Sequence, residues 1–151
     1  MSIDVGSVLR SSAASLYSHL VTRPTGRAVR LAIEEQVSES TRTALSLIDL
    51  SDVTVMDFSC ADEIVAKLLM RFLEEDRPAD ALFVFRGVRA SLHEPIQTVL
   101  ERQELLAVTQ DGDGGCALIG TRTEAEEYVW TVLEGRGRIG QAEDIPGTVV
   151  F

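Results

Sequence analysis

At 151 residues the chain has the length of one domain and can bury a sizeable core. Apolar residues make up 45% and charged residues 25%, an ordinary balance for a soluble globular domain. Fourteen basic residues against 24 acidic ones give a net charge of −10, which repels nucleic acid and anionic membrane, so neither is an expected partner.

The charge is uneven. Residues 1–42 carry five arginines against four acids, so the acidity lies in the remainder, where Lys67 is the only lysine. Cys60 and Cys116 fit no metal-ligand spacing and form no disulfide framework, so neither a metal nor a cofactor is expected. No stretch at the start joins basic residues to an apolar run, so no secretory leader is expected. No apolar run approaches the roughly 20 residues of a membrane span, and a reducing cytoplasm is the expected compartment.

Residues 1–21 leave strand and helix open: "SVLRS" reads as a short strand, "AASLYSHLV" as a strand or a helical turn. "TRPTGRAVRLAIEEQV" reads as a helix with Thr22 as N-cap and Pro24 in the first turn, its apolar face carrying Val29, Ile33 and Val37. "ALSLIDL" is a short apolar run and reads as a buried strand. A connection with an extended piece, "SDVTVMDF", leads into the clearest helix, "SCADEIVAKLLMRFLEE", with Ile64, Leu68 and Phe72 on one face and Pro78 beyond its end. "ALFVF" is a strand. "SLHEPIQTVLERQEL" is a helix with Pro95 near its first turn. "LLAVT" and "CALIG" are strands around the turn "QDGDGG". The last helix, "TRTEAEEYVWTVLEG", opens with a capping box from Thr123 to Glu126. Tyr128, Val129, Val132 and Leu133 supply its apolar face, so Trp130 is either exposed at a contact surface or covered because the helix packs on two neighbours. Alternating strands and helices imply an α/β sheet covered by helices. The expected organisation is one domain over residues 1–135, followed by a flexible tail over residues 136–151.

"VMDFSCADEIV" concentrates the polar chemistry. Ser59-Cys60-Ala61-Asp62 matches the capping signature before a helix, with the Ser59 hydroxyl on the Asp62 N–H and Asp62 reaching back. A hydroxyl at a helix start is also a place where a phosphate is electrostatically welcome. The stretch "TALSLIDLSDVTVMDFSCADEIVAKLL" resembles the central element of the STAS domain, the module shared by sulfate transporters and anti-sigma factor antagonists. The resemblance rests on the apolar strand ending in Asp49-Leu50, the connection from Val53 to Asp57, and the helix opening with Ser59. It implies a mixed sheet with helices mainly on one face and a non-enzymatic signalling regulator. The implied partner is an anti-sigma, histidine-kinase-like ATPase, bound near Asp57, Phe58, Ser59, Cys60, Asp62 and Glu63. It further implies that Ser59 aligns with the serine that such kinases phosphorylate. The chain reads Asp57-Phe58-Ser59-Cys60 where the antagonists read Asp-Ser-Ser-Gly. "CADEI", behind an arginine-bearing helix, is similar to a divergent STAS-like group with "FADE" at the helix start.

Other readings stand beside this one. Cys60 is a candidate nucleophile at a helix start, although Asp57 and Asp62 would raise its pKa. The cluster of Asp57, Asp62 and Glu63 is a second enzymatic candidate, and a small-ligand or nucleotide-sensing domain is a third reading. Arg23, Arg27 and Arg30 fall on one side of their helix and are candidates to contact an anion, the plainer alternative being a solvated face. Asp111 and Asp113 lack the further ligands of a calcium loop.

Overall fold

The computed structural model describes residues 2–5, 19–39 and 44–135. Strand β1 (Ser2–Asp4) is followed by β2 (His19–Leu20), helix α1 (Arg23–Ser38), β3 (Ala44–Asp49) and β4 (Val55–Met56). Helix α2 runs unbroken through an α-helical opening (Phe58–Ala61), a π-helical stretch (Asp62–Lys67) and an α-helical end (Leu68–Leu73). Strand β5 (Ala81–Arg86), helix α3 (Ala90–Arg102), the hairpin of β6 (Leu106–Gln110) and β7 (Cys116–Gly120), and helix α4 (Glu124–Gly135) complete the order.

The main sheet has the order β1-β3-β5-β6-β7. The first four strands are parallel and β7 is antiparallel, so the fold is a mixed α/β sheet. A separate parallel pair joins β2 to β4, with His19 opposite Val55 and Leu20 opposite Met56. Because the strands are added in sequence order, right-handed crossovers place α1, α2 and α3 on the same face. Burial agrees. Ile3, Ile48, Phe85, Ala107 and Ile119 share one face by register and belong to one core with Val29 and Ile33 of α1, Ile64 and Leu68 of α2, and Leu92 and Ile96 of α3. Val84 and Leu106 are buried outside that core, on the opposite face, and Trp130 of α4 is also buried outside it.

Most elements fall where the residue pattern puts them, with four differences. β1 adds a strand at Ser2–Asp4 that the composition of the first residues does not advertise, and the expected strand "SVLRS" lies outside the described residues, as does the tail from residue 136. α2 starts at Phe58 rather than Ser59. Pro95 sits inside α3 and is buried, because α3 begins at Ala90. Tyr128 of the expected apolar face is 72% exposed, whereas Trp130, for which the sequence leaves surface and interior both open, is 6% exposed. The helix is turned so that its indole rather than its phenol meets the interior. The Thr123–Glu126 capping box forms as read, with Glu126 N–H donating to Thr123 Oγ1 at 3.1 Å and Thr123 N–H to Glu126 Oε1 at 2.8 Å.

Gly26 marks the closest approach of α1 and α2. A Cβ at this position would lie 2.9 Å from Cys60 Cα, a backbone atom that cannot swing aside. Gly26→Ala removes a helix-disfavouring residue, a gain of about 1 kcal/mol. Forcing the helices apart costs about 1–3 kcal/mol and should win. The expected result in urea denaturation is a lower midpoint than wild type; an equal or higher one would mean that the helices separate freely.

Candidate functional site

The starts of α1 and α2 lie side by side, and the residues singled out in the sequence meet there. Asp57, in extended conformation, is the N-cap of α2, and its Oδ1 accepts from Cys60 N–H at 2.8 Å. Ser59 is therefore not the cap. It lies in the first turn, half-buried, and its Oγ donates to the same Asp57 oxygen at 2.8 Å. The capping box expected from Ser59 to Asp62 does not form, because Asp62 is drawn to Arg23 of α1, 2.9 Å away. The assignment of the cap has a direct consequence. Asp57→Ala should cost about 1 kcal/mol, the usual loss of an N-cap, and Ser59→Ala less than that. Paired urea titrations that reversed this order would return the cap to Ser59.

Cys60 is buried, and its thiol donates to the Thr22 carbonyl at 2.9 Å. Burial, reinforced by the nearby Asp57 carboxylate, pushes its pKa up to about 12. At neutral pH such a thiol stays protonated, the opposite of what a nucleophilic cysteine needs. Here it ties α2 to the N-terminus of α1. Neither Cys60 nor Cys116 is in a disulfide.

Glu63 is the least expected member. It is 1% exposed, yet its carboxylate is held by three cations: Arg23 Nη1 and Lys67 Nζ on Oε1, each at 2.9 Å, and Arg30 Nε on Oε2 at 3.0 Å. Burial alone would raise its pKa. The bonds from Lys67, Arg23 and Arg30 outweigh burial and hold the carboxyl below its ordinary range. The π-helical stretch begins one residue before Glu63, and such turns recur at specialised positions of helices. Glu34, bonded to Arg30 at 2.6 Å, and Arg71, 3.9 Å from Glu34, extend the network along the junction of the two helices.

Of the three arginines considered for an external anion, Arg23 and Arg30 hold the chain's own Glu63, and Arg27 is exposed. Of the six residues considered for partner contact, Cys60 and Glu63 are buried and have no surface to offer. Asp57, Ser59 and Asp62 are partly accessible, and Phe58 is 44% exposed. Sequence reasoning missed Val21, which follows β2, and Val55 of β4, which are also exposed. Their signal was β-branched side chains at short extended pieces, with Val55 alternating against the buried Met56. The three carboxylates play different parts: Asp57 caps a helix, whereas Asp62 and Glu63 meet at Arg23 Nη1, 2.9 Å from each, Asp62 partly accessible and Glu63 sealed inside. Among the described residues no group of acids, histidines and cysteines is placed to hold a metal, and no helix is long and apolar enough to cross a membrane. Comparison of the chain with protein-family models, with curated proteins and with solved structures finds no match.

Proposed function

We propose that the chain is a non-enzymatic cytoplasmic regulator of the STAS-like kind, similar in role to an anti-sigma factor antagonist, that binds a protein partner at the opening of α2. The observation that carries this reading is exposed Phe58 next to the half-buried hydroxyl of Ser59 at the opening of α2, with Val21 after β2 and Val55 of β4 also exposed in the strand pair that leads into it. Apolar side chains left outside at one place are what a partner can cover, and aromatic residues dominate such contacts. The mixed sheet with its three crossover helices on one face, and the strand–connection–helix order leading to Ser59, support the STAS-like assignment.

The proposed partner is a histidine-kinase-like ATPase that transfers the γ-phosphoryl group of ATP to Ser59 Oγ, releasing ADP and the hydroxyl proton. The start of α2 favours the added charge by about 0.3–1 kcal/mol, and the Asp57 and Asp62 carboxylates oppose it by a comparable amount. Phosphorylation should therefore change partner binding rather than folding. The test is surface plasmon resonance of the wild type, Phe58→Asp and Ser59→Asp against the histidine-kinase-like ATPases of the source genome, with mass spectrometry after incubation with ATP. Binding that Phe58→Asp abolishes, and a phosphate on Ser59, are the expected results. No binding by the wild type, or equal binding by Phe58→Asp, would defeat the reading.

A further inference from the structure

A second feature lies away from the α1–α2 junction, where the carboxyl ends of three parallel strands meet. The turn after β3 is held against the end of β5: Leu50 N–H donates to the Arg86 carbonyl at 2.8 Å, and Arg86 Nη2 reaches Asp49 Oδ2 at 3.1 Å. Asp49 in turn accepts from the N–H and Oγ of Ser51, at 2.9 and 2.5 Å. Gly87, at φ +74, packs directly on Ser51, and a Cβ on Gly87 would lie 2.7 Å from the Ser51 nitrogen. Only glycine fits there, for both its φ and the space it leaves. These contacts leave an open cleft of about 300 Å³ between the turns after β3 and β5 and the β6–β7 turn. Crevices at the carboxyl ends of strands are where open parallel sheets bind ligands, and a volume of this order suits a small molecule.

The walls carry opposite charges. On one side stands Arg89, its Nη2 fixed to the Ser51 carbonyl at 2.6 Å. That bond orients the guanidinium and uses one of its five N–H donors. On the other side stand Gln110 and Asp111, whose side chains have no hydrogen-bond partner among the described residues. Val88 adds an apolar surface. The nearer pair, Asp49 and Arg86, is already mutually satisfied and adds no net charge. We propose that this cleft binds a small zwitterion of the α-amino-acid class, with its carboxylate on Arg89, its ammonium on Asp111, and Gln110 bridging either group. A simple anion would meet Asp111, and a simple cation would meet Arg89, so each single-charge ligand leaves one wall unpaired. The inference stands apart from the partner surface at Phe58 and does not depend on it.

The test is isothermal titration calorimetry of the full chain with glycine, L-alanine and L-serine at up to millimolar concentration, with acetate and methylammonium as single-charge controls. At least one zwitterion should bind, and neither control should. Asp111→Asn, on an exposed turn, should weaken that binding about tenfold or more without moving the thermal midpoint; Arg89→Gln should do the same. Phe58→Asp should leave it unchanged, which separates this site from the partner surface. Binding of acetate as tight as that of the zwitterion, retention of binding in Asp111→Asn, or no heat with any of the three amino acids would each overturn the proposal.

Discussion

Replacing Glu63 with alanine is expected to destabilise the fold by about 3–5 kcal/mol, the usual loss when one member of a buried ionic cluster is removed. The size follows from what is left behind. Arg30 is 14% exposed and would keep its charge at the helix junction with only Glu34 to neutralise it. Arg23 and Lys67, at 48% and 43%, can turn to water and lose less. Glu63→Gln keeps the shape and should fall between alanine and wild type, because an amide still accepts hydrogen bonds but lacks the charge. Urea titration of the three proteins at neutral pH checks the order. An alanine variant within 1 kcal/mol of wild type would mean that the cluster is a solvated surface pair, worth about 0–1 kcal/mol.

The same residue sets a pH dependence. The Glu63 carboxyl has a lower pKa in the folded chain than in the unfolded one, because Lys67, Arg23 and Arg30 bond its ionised form. Its contribution is therefore complete above the ordinary glutamate range and is lost as pH falls through its depressed folded value. Wild type should lose stability on the acid side more steeply than Glu63→Gln, and the two curves should converge at low pH.

Local signals in the sequence identify the helices and most strands of the fold. Val29, Ile33 and Val37 in α1 face the core as their spacing requires, and the hairpin around "QDGDGG" pairs β6 with β7. The capping pattern at Thr123–Glu126 forms, yet the same pattern at Ser59–Asp62 does not. The difference is tertiary. Asp57 lies two residues before Ser59 and takes the free N–H of Cys60, while Arg23, 39 residues away in sequence, takes Asp62. Burial of Glu63 has no local mark, since a carboxylate in a helix ordinarily faces water. A trace of it does exist: Arg23 and Arg30 stand two helical turns apart on one face of α1, and Lys67 follows Glu63 by one turn. Those spacings can satisfy one carboxylate, but only the parallel packing of α1 on α2 shows that they do. The two short extended pieces in "AASLYSHLV" and "SDVTVMDF" are legible, but not that they pair as β2 and β4 or leave Val21 and Val55 exposed, since they are too short to show a period.

Leu68 gives the second large effect. It lies at the first residue after the π-helical stretch, is fully buried, and joins the core that α2 shares with Ile64, Phe72 and the sheet. Nearby, the rings of Phe72 and Phe83 meet edge-on with centroids 5.1 Å apart, so the end of α2 is fixed against β5 and has little freedom to collapse into a void. Leu68→Ala should therefore destabilise by about 2–5 kcal/mol, the range for a truncated buried leucine. Leu73, five residues on in the same helix, is 59% exposed and supplies the control: Leu73→Ala should stay within about 0.5 kcal/mol of wild type. The contrast tests the path of the helix as well as its packing, because the wider π turn sets which leucines after it face inward. Urea denaturation of the two variants, read by the single tryptophan and by circular dichroism, decides the matter. Equal losses at Leu68 and Leu73, or a larger loss at Leu73, would show that the end of α2 is rotated and that the Glu63 cluster does not sit in the π-helical turn described.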